Sequence, residues 1–200
     1  MIHLLTNTYA VIDPWFGRCP QPIELDMGCG KGRFALDLAA YYPDRLILGS
    51  DVMLGRLRRV ARKVERRGLE NVELLRAESI ELVGYQLPDC SVRRLHLLCP
   101  DPWPKARHRH QRLITTDFLT RVARVLEPDG VLHIATDHTP YLLATKALLD
   151  ALPFFAAAPD RLDDLRDLKT DFELTWEQRG KTVPHLAYRR VMGPCAHGGG

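Results

Sequence analysis

Short runs of apolar residues alternate with longer amphipathic segments along most of the chain. The runs read IELDM, LILGSD, VELLRA, RRLHLLC and VLHIAT, and each has the length of a β-strand. Apolar residues recur at helical spacing between and after these runs, over residues 33–42, 55–67, 79–83, 116–126 and 141–152. Strands that alternate with helices usually pair in parallel, so the pattern predicts an α/β fold with a doubly wound, mostly parallel sheet.

The C-terminal part departs from this alternation. Residues 172–192 contain two more strand-like stretches, and no helix is evident between them. We expect an antiparallel hairpin there, at one edge of the sheet. The whole pattern then predicts about seven strands in a Rossmann-like arrangement.

Composition places the chain among ordinary globular proteins. Of its 200 residues, 46% are hydrophobic and 26% are charged, and this length corresponds to about one domain. We expect a single domain over residues 1–200, with a short N-terminal segment at 1–21 and a frayed tail at 194–200. No apolar run reaches the roughly 18 residues of a membrane span, and the N-terminus lacks a secretion signal. We therefore expect a cytoplasmic protein without a membrane partner, and the sequence leaves its oligomeric state open.

The cysteines do not suggest a structural role. There are five of them, and no two form a C-x-x-C pair. This spacing argues against both a disulfide framework and a zinc ribbon. We expect reduced thiols and no metal site.

Positive charge is concentrated in two places, although the net charge is only +3. Residues 56–67 hold seven Lys or Arg against one Glu, on a predicted helix that we interpret as a solvated face. Residues 105–112, the basic loop, hold four Lys or Arg, two His and no acid. The basic loop favours a phosphate-rich partner such as a nucleic acid, with a merely solvated loop as the alternative.

The first strand runs directly into a glycine loop at residues 28–32. Glycines let the backbone approach a ligand closely, and the helix that follows offers unpaired N–H groups. A dinucleotide fingerprint G-x-G-x-x-G needs Gly at position 33, where Arg33 stands. The spacing G-x-G-x-G after an acid suits S-adenosylmethionine better; the alternative is a tight strand-to-helix turn. The candidate cofactor residues here are Asp26, Gly28, Cys29, Gly30 and Gly32.

Acids also follow the next two strands. Asp51 ends the second run, where a carboxylate can accept both hydroxyls of a ribose. Glu78 and Ser79 follow the third run, and Glu78 is a candidate for contact with an adenine amino group. Any one acid after a strand is better explained as a helix cap or a solvated residue, but three acids that close three successive strands favour a common ligand.

The fourth run leads into PDPWPKARH, which contains three prolines. Proline keeps the preceding residue extended, so Asp101 is held in one pose between Pro100 and Pro102. We expect Asp101 beside the reacting atoms; the alternative is a structural proline loop. Phosphate contacts are predicted for Lys105, Arg107, His108, Arg109 and Arg112.

The fifth run ends in Thr136 and Asp137 and leads to Tyr141. These three residues are candidates for substrate binding, at the same edge of the sheet as the acids. A helix begins nearby, so Asp137 as a helix N-cap is the alternative.

With these residues, the sequence resembles the bacterial tRNA (guanine-N7-)-methyltransferases over residues 24–179. The most specific matches are PDPWPKARH, ATDHTPY and WEQRG. The resemblance implies a class I S-adenosylmethionine-dependent enzyme that methylates N7 of a variable-loop guanosine in tRNA. It assigns Asp26, Asp51, Glu78 and Asp101 to the methyl donor, with Asp101 also catalytic, and Lys105, Asp137 and residues 174–177 to the substrate. It places residues 107–112 against RNA.

The chain departs from the family at a few positions. The family pattern Thr-x-aromatic-Glu, placed on residues 174–177, meets Leu174 where Thr is expected, with Thr175 one residue later and Glu177 in its place. We expect a local bulge in a strand to return Thr175 to the site. Gln111 and Pro184 also replace the family's usual residues. Two rival functions remain: methylation of another nucleic acid or a small molecule, and a non-catalytic RNA-binding relative.

Overall fold

The computed structural model describes residues 1–5, 20–103 and 105–192, and of residues 106, 109 and 110 it describes only the backbone. The predicted tail and most of the predicted N-terminal segment lie outside these ranges. The strands are β1 (Ile2–Leu4), β2 (Ile23–Met27), β3 (Leu46–Asp51), β4 (Val72–Arg76), β5 (Val92–Leu98), β6 (Leu126–Ala135), β7 (Phe155–Ala157) and β8 (His185–Arg190). The α-helices are α1 (Arg33–Tyr41), α2 (Leu54–Arg67), α3 (Ser79–Glu81), α4 (Thr116–Val125), α5 (Thr139–Ala151) and α6 (Asp171–Glu177).

The eight strands form one sheet in the order β1-β4-β3-β2-β5-β6-β8-β7. Neighbouring strands from β1 to β6 are parallel, and β8 is antiparallel to both β6 and β7. The predicted fold class is confirmed, as are the five predicted strands and five predicted helices. Because the order reverses beside β2, a ligand crevice is expected at the carboxyl end of this strand.

The centre of the sheet is buried on both faces. All five residues of β2 and all six of β3 are inaccessible or nearly so, as expected for parallel strands covered by helices on both sides. One layer of core packs Leu25 and Leu48 against α4, and the other packs Ile47 and Leu74 against α1 and α2. The sheet therefore holds the ends of its central strands rigidly.

The expectation of an antiparallel hairpin within residues 172–192 is wrong for the first of its two strands. Residues 171–177 form helix α6, and the strand that pairs with β8 is β7, which lies earlier in the chain. The reason is a capping box: Thr170 Oγ1 accepts a hydrogen bond from the Glu173 backbone N–H at 3.1 Å, and Glu173 Oε2 accepts one from the Thr170 N–H at 2.7 Å. These two bonds satisfy N–H groups that would be orphaned at a helix start, so they favour a helix over a strand.

Two smaller expectations are also settled. Cys29 and Cys99 carry free thiols, but Cys90 is disulfide-bonded, which corrects the expectation for that residue. Within the described ranges, no helix combines the length and the apolar character needed to cross a bilayer.

Candidate active site

Two adjoining cavities open at the carboxyl edge of the sheet. The first has a volume of about 500 Å³ and is lined by the glycine loop and α6. The second, of about 530 Å³, is lined by the end of β3, the start of α3 and the loop that follows β5. Both cavities include Gly28, Arg56, Leu98 and Cys99 in their walls. They therefore form one groove, which we call the carboxyl-edge groove.

The glycine loop has the backbone that a ligand cradle needs. Gly28, Gly30 and Gly32 have φ values of 74°, 56° and 78°, in the left-handed region that favours glycine. Gly32 is also the N-cap of α1, and a Cβ placed on it would lie 2.6 Å from a methyl carbon of Val60. The loop is tied down by the Cys29 N–H, which donates to the Ser50 carbonyl at 2.8 Å. The three glycines thus leave backbone exposed to this part of the groove.

Asp26 lies at the base of the loop with a side chain that is almost completely buried. Burial, with a smaller contribution from the nearby charge of Asp51, raises the pKa of its carboxyl to about 7, although a hydrogen bond from the Ala35 backbone N–H acts in the opposite direction. The carboxylate therefore lacks a cationic partner among the described residues that would restore its ordinary pKa. A ligand ammonium group beside it would supply that partner.

Asp51 and Glu78 line the second cavity, together with Ser79. Asp51 is buried; its Oδ1 accepts a hydrogen bond from the Met53 N–H at 2.7 Å, and its Oδ2 lies 3.4 Å from Arg56 Nη1. Glu78 is the N-cap of α3, where its Oε2 accepts from the N–H groups of Ile80 and Glu81 at 2.7 and 3.1 Å. The cap and the cavity wall are thus the same residue, and the two interpretations of Glu78 are compatible.

The loop after β5 begins with a strained turn. Cys99 and Trp103 have φ values of 54° and 40°, unusual for residues with a side chain. Asp101 is exposed and lies in the wall of the second cavity. Burial raises the pKa of the Cys99 thiol to about 12, and the charges of Glu173 and Asp137 add to the effect.

The basic loop divides into an outer and an inner part. Lys105 and Arg107 are exposed, and Arg107 Nε donates to His108 Nε2 at 3.0 Å. Arg112 points inward: its Nε donates to the Pro102 carbonyl at 2.8 Å, and its guanidinium lies over the ring of Tyr141, 4.8 Å from the centroid. Arg112 therefore braces the loop that carries Asp101. The side chain of Arg109 is outside the described part of the chain.

The candidates after β6 lie in different surroundings. Tyr141 is only 2% exposed, and its hydroxyl accepts a hydrogen bond from the Ile114 N–H at 3.2 Å, which makes it a core residue. Thr136 is buried and accepts from the His138 N–H at 3.2 Å. His138 caps α5, since its Nδ1 accepts from the Tyr141 N–H at 3.1 Å. The N-cap interpretation of Asp137 is therefore wrong, and Asp137 is exposed at the end of β6.

Residues 174–177 lie on α6, so the expected strand bulge does not exist. Thr175 reaches the first cavity without one, and its hydroxyl donates to the Asp171 carbonyl at 2.8 Å. Glu177 lines a different cavity, of about 380 Å³, where its Oε1 lies 2.6 Å from Lys169 Nζ. The helix thus separates two residues that the sequence analysis had placed together.

The structure also identifies a segment that the sequence analysis missed. Thr170, Phe172 and Glu173 match the pattern Thr-x-aromatic-Glu in full, four residues before the place where we had aligned it. Thr170 and Phe172 line the first cavity, and Glu173 is buried behind them. The signal was present in the sequence, both as the family pattern and as a T-x-x-E capping box. An alignment on these residues places Thr170 where the family has Thr, but it no longer places Trp176 and Glu177 of the WEQRG match on the pattern.

Comparisons with known proteins identify the family of this chain. Residues 20–186 match a family model described as "Putative methyltransferase". A tRNA (guanine-N(7)-)-methyltransferase of Leifsonia xyli subsp. xyli is 37% identical over 182 residues, which span 89% of this chain and 80% of that protein. One of Alkalilimnicola ehrlichii is 34% identical over 92% of this chain and 78% of its own length. The solved structure of the 16S rRNA methyltransferase KamB has the same fold, with a TM-score of 0.65 and 20% identity over 92% of this chain and 95% of that one. These matches confirm the resemblance drawn from PDPWPKARH and ATDHTPY, and the chain belongs to the tRNA (guanine-N(7)-)-methyltransferase family.

Proposed function

We propose that this chain transfers the methyl group of S-adenosylmethionine to N7 of a guanine in tRNA, the variable-loop guanosine. The observation that carries the proposal is the set of carboxylates Asp26, Asp51 and Asp101, which border one groove beside a glycine cradle. Family membership supports the choice of substrate. Such an enzyme meets its tRNA in the cytoplasm, where we propose that the chain acts.

The groove fits S-adenosylmethionine by its donor and acceptor groups. Asp26 is assigned to the ammonium group, because its raised pKa marks a carboxylate that lacks a cation. Asp51 is assigned to the ribose hydroxyls. Both cap bonds at the start of α3 use Oε2 of Glu78, so its other oxygen is assigned to the adenine amino group. The glycine loop admits the ligand close to the backbone. Ser79 and Cys29 complete the walls.

For this reaction the protein has to position the methyl donor and the guanine, and to stabilise the positive charge that develops on the guanine. When bound, S-adenosylmethionine supplies an electrophilic methyl group: the S–C bond breaks with its electrons moving to sulfur while a bond to N7 forms. The N7 lone pair is already free, so no residue has to remove a proton first. Guanine becomes cationic, and we assign Asp101, with Asp137 at the end of the neighbouring strand β6, to stabilise that charge. Lys105, Arg107, His108 and Arg109 are assigned to tRNA phosphates, and Thr136, Thr170 and Thr175 to the surroundings of the base.

The test is methylation of a defined RNA. Unmodified tRNA transcript is incubated with the protein and S-adenosylmethionine, and nucleosides are analysed by mass spectrometry. We expect 7-methylguanosine, located at the variable loop and lost when that guanosine is replaced by adenosine. Asp101→Asn keeps the shape of the loop and removes its charge, so we expect turnover to fall about 100-fold in a folded protein. Methylation at another base or atom would overturn the substrate assignment, and no methylation at all would favour a non-catalytic RNA-binding relative.

A further inference from the structure

A chain of five hydrogen-bonded side chains crosses the interior from β2 to α6, and we call it the histidine chain. Glu24 Oε2 lies 3.0 Å from His96 Nε2, and His96 Nδ1 lies 3.0 Å from His133 Nδ1. His133 Nε2 lies 2.8 Å from His185 Nδ1, and His185 Nε2 lies 2.9 Å from Glu173 Oε1. Each of the six ring nitrogens is used once. The chain is linear: among the described residues, no group of three or more such side chains is placed to hold a metal ion.

The hydrogen bonds of the histidine chain require one more proton than three neutral imidazoles supply. Its four contacts need four protons, because both ends are carboxylates that accept. Three neutral imidazoles have only three N–H groups between them. With His96 donating to Glu24 and His133 donating to His96, the ring of His185 has to donate through both nitrogens. One imidazolium therefore completes the chain, and a neutral His185 would leave either its Nε2 contact with Glu173 or its Nδ1 contact with His133 without a proton.

The surroundings favour His185 as the charged ring. Burial lowers the pKa of His96, and it lowers that of His133 well below the usual value, with the neighbouring rings adding to the effect at His133. Both carboxyls are ionised: burial opposes this, but His96 and Arg94 hold the pKa of Glu24 at about 2, and His185 and Thr170 lower that of Glu173. The His185 side chain is 34% exposed, so water reaches the end of the chain at which the proton is needed.

The charged end of the chain anchors α6. Glu173 accepts from His185 through one oxygen and from the Thr170 N–H through the other, so the same carboxylate joins the helix start to β8. α6 in turn contributes Thr175 and Trp176 to the wall of the first cavity. The other charged groups that share the 380 Å³ cavity with His185 are Glu177, Lys169, Asp163 and Arg166. Two of them are acidic and two are basic, so they leave the Glu173–His185 pair as the dominant local interaction.

We propose that His185 is a positioning residue, whose imidazolium completes the histidine chain and holds α6 at the wall of the carboxyl-edge groove. The part of this inference that concerns substrate binding rests on the proposed function. Loss of the proton at higher pH, or loss of the ring, loosens α6 and weakens substrate binding. His185 itself contacts neither the methyl donor nor the reacting atoms.

The first experiment reads the rings directly. Histidine-selective ¹⁵N NMR from pH 6 to pH 9 should show His96 neutral with its proton on Nε2 and His133 neutral with its proton on Nδ1. His185 should be the one ring of the three that begins as an imidazolium and loses its proton. Amide exchange of α6, corrected for intrinsic rates, should rise about tenfold over the same range. A His185 that is neutral throughout, with α6 equally protected, would overturn the proposal.

A second variant tests the proton count. In Glu173→Gln the amide can donate to a neutral His185 and still accept from the Thr170 N–H, so three neutral rings satisfy all four contacts. We expect His185 to be neutral at pH 7 and the exchange of α6 to lose its pH dependence. His185→Ala should raise the KM for tRNA about tenfold and change kcat less. An unchanged KM with unchanged exchange in His185→Ala would also overturn the proposal.

His3→Gln is the matched control, because it breaks another His–Glu pair, the 2.9 Å contact with Glu73 at the edge of the sheet. It should change neither the exchange of α6 nor KM. The NMR and exchange readouts need no turnover. If they follow expectation while no RNA is methylated, the proposed function fails and the anchoring of α6 stands.

Discussion

Asp26 and Asp51 lie at the carboxyl ends of the two adjacent central strands, and their carboxylates are close enough for the charge of one to affect the other. Burial, together with Asp51, raises the pKa of Asp26 from 3.8 to about 7. A folded protein that binds this proton more tightly than the unfolded chain loses stability as pH rises between the two values. Under the proposed function, the ammonium group of the methyl donor offsets this cost when it binds beside Asp26.

We therefore expect opposite effects of Asp26→Asn on stability and on binding. At pH 8 the variant should be more stable than the wild type, by as much as about 4 kcal/mol from the change in pKa, and at pH 4 the difference should be small. Its affinity for S-adenosylmethionine should fall at least tenfold. Urea unfolding at both pH values and calorimetry check the two effects. Equal stability of the two proteins at pH 8 would contradict the conclusion that the ionised carboxylate of Asp26 destabilises the folded protein.

The opposite pH dependence is expected for Glu24. Burial disfavours its charge, but His96 and Arg94 lower its pKa from 4.5 to about 2, and Arg45 also pairs with it. Its contribution to stability is present above about pH 4.5 and is lost as pH falls towards 2. Glu24→Gln should reduce the free energy of unfolding at pH 7 by about 3 kcal/mol, since it removes the buried carboxylate that pairs with Arg94 and Arg45, and Arg94 then keeps only its pair with Asp164. The difference between the two proteins should shrink in unfolding experiments at pH 3; a constant difference would argue against ionised Glu24.

Gly32 is the position of the glycine loop at which an added side chain would clash with a neighbouring residue. Gly32→Ala places a methyl group 2.6 Å from Val60 at a positive φ, so we expect a loss of about 1–3 kcal/mol. Gly55→Ala is the control, because an added Cβ there meets no atom within 4 Å and Gly55 lies in helix α2. That control should gain up to about 1 kcal/mol. Thermal unfolding of both variants checks the contrast, and equal effects would remove the argument for a tight cradle.

Thr170→Ala tests the newly identified Thr-x-aromatic-Glu segment. Loss of the cap should cost about 1 kcal/mol of stability, and because Thr170 lines the first cavity, kcat/KM on tRNA should fall as well. Thr175→Ala is its partner, since Thr175 lines the same cavity but lies within the helix, where its hydroxyl bonds to the Asp171 carbonyl. We expect the smaller stability loss from Thr175→Ala. The reverse ranking, measured by unfolding, would show that the capping box does not hold α6.

The central sheet was predictable because strand and helix periodicities there are unambiguous and because acids recur at strand ends. α6 was missed since its apolar residues, Phe172, Leu174 and Trp176, recur at every second position as in a strand, and since its start is fixed by a capping box, which periodicity does not detect. The histidine chain was not predictable at all: His96, His133 and His185 are far apart in sequence, and only the register of β5, β6 and β8 brings them together. Likewise, nothing in the sequence distinguishes the inward Arg112 from the outward Lys105.

The outer and inner parts of the basic loop should contribute differently to the salt dependence of tRNA binding. If exposed Lys105 and Arg107 each contact a phosphate, the double variant Lys105→Ala with Arg107→Ala should reduce the log–log salt slope of tRNA binding by about two. Arg112→Ala should leave that slope nearly unchanged and instead lower kcat, since Arg112 holds the Pro102 carbonyl and packs on Tyr141. Fluorescence titrations at several salt concentrations and steady-state kinetics separate the two outcomes. If the double variant kept the full slope, the phosphates would have to meet another surface, and the exposed arginines of α2 would be the next to replace.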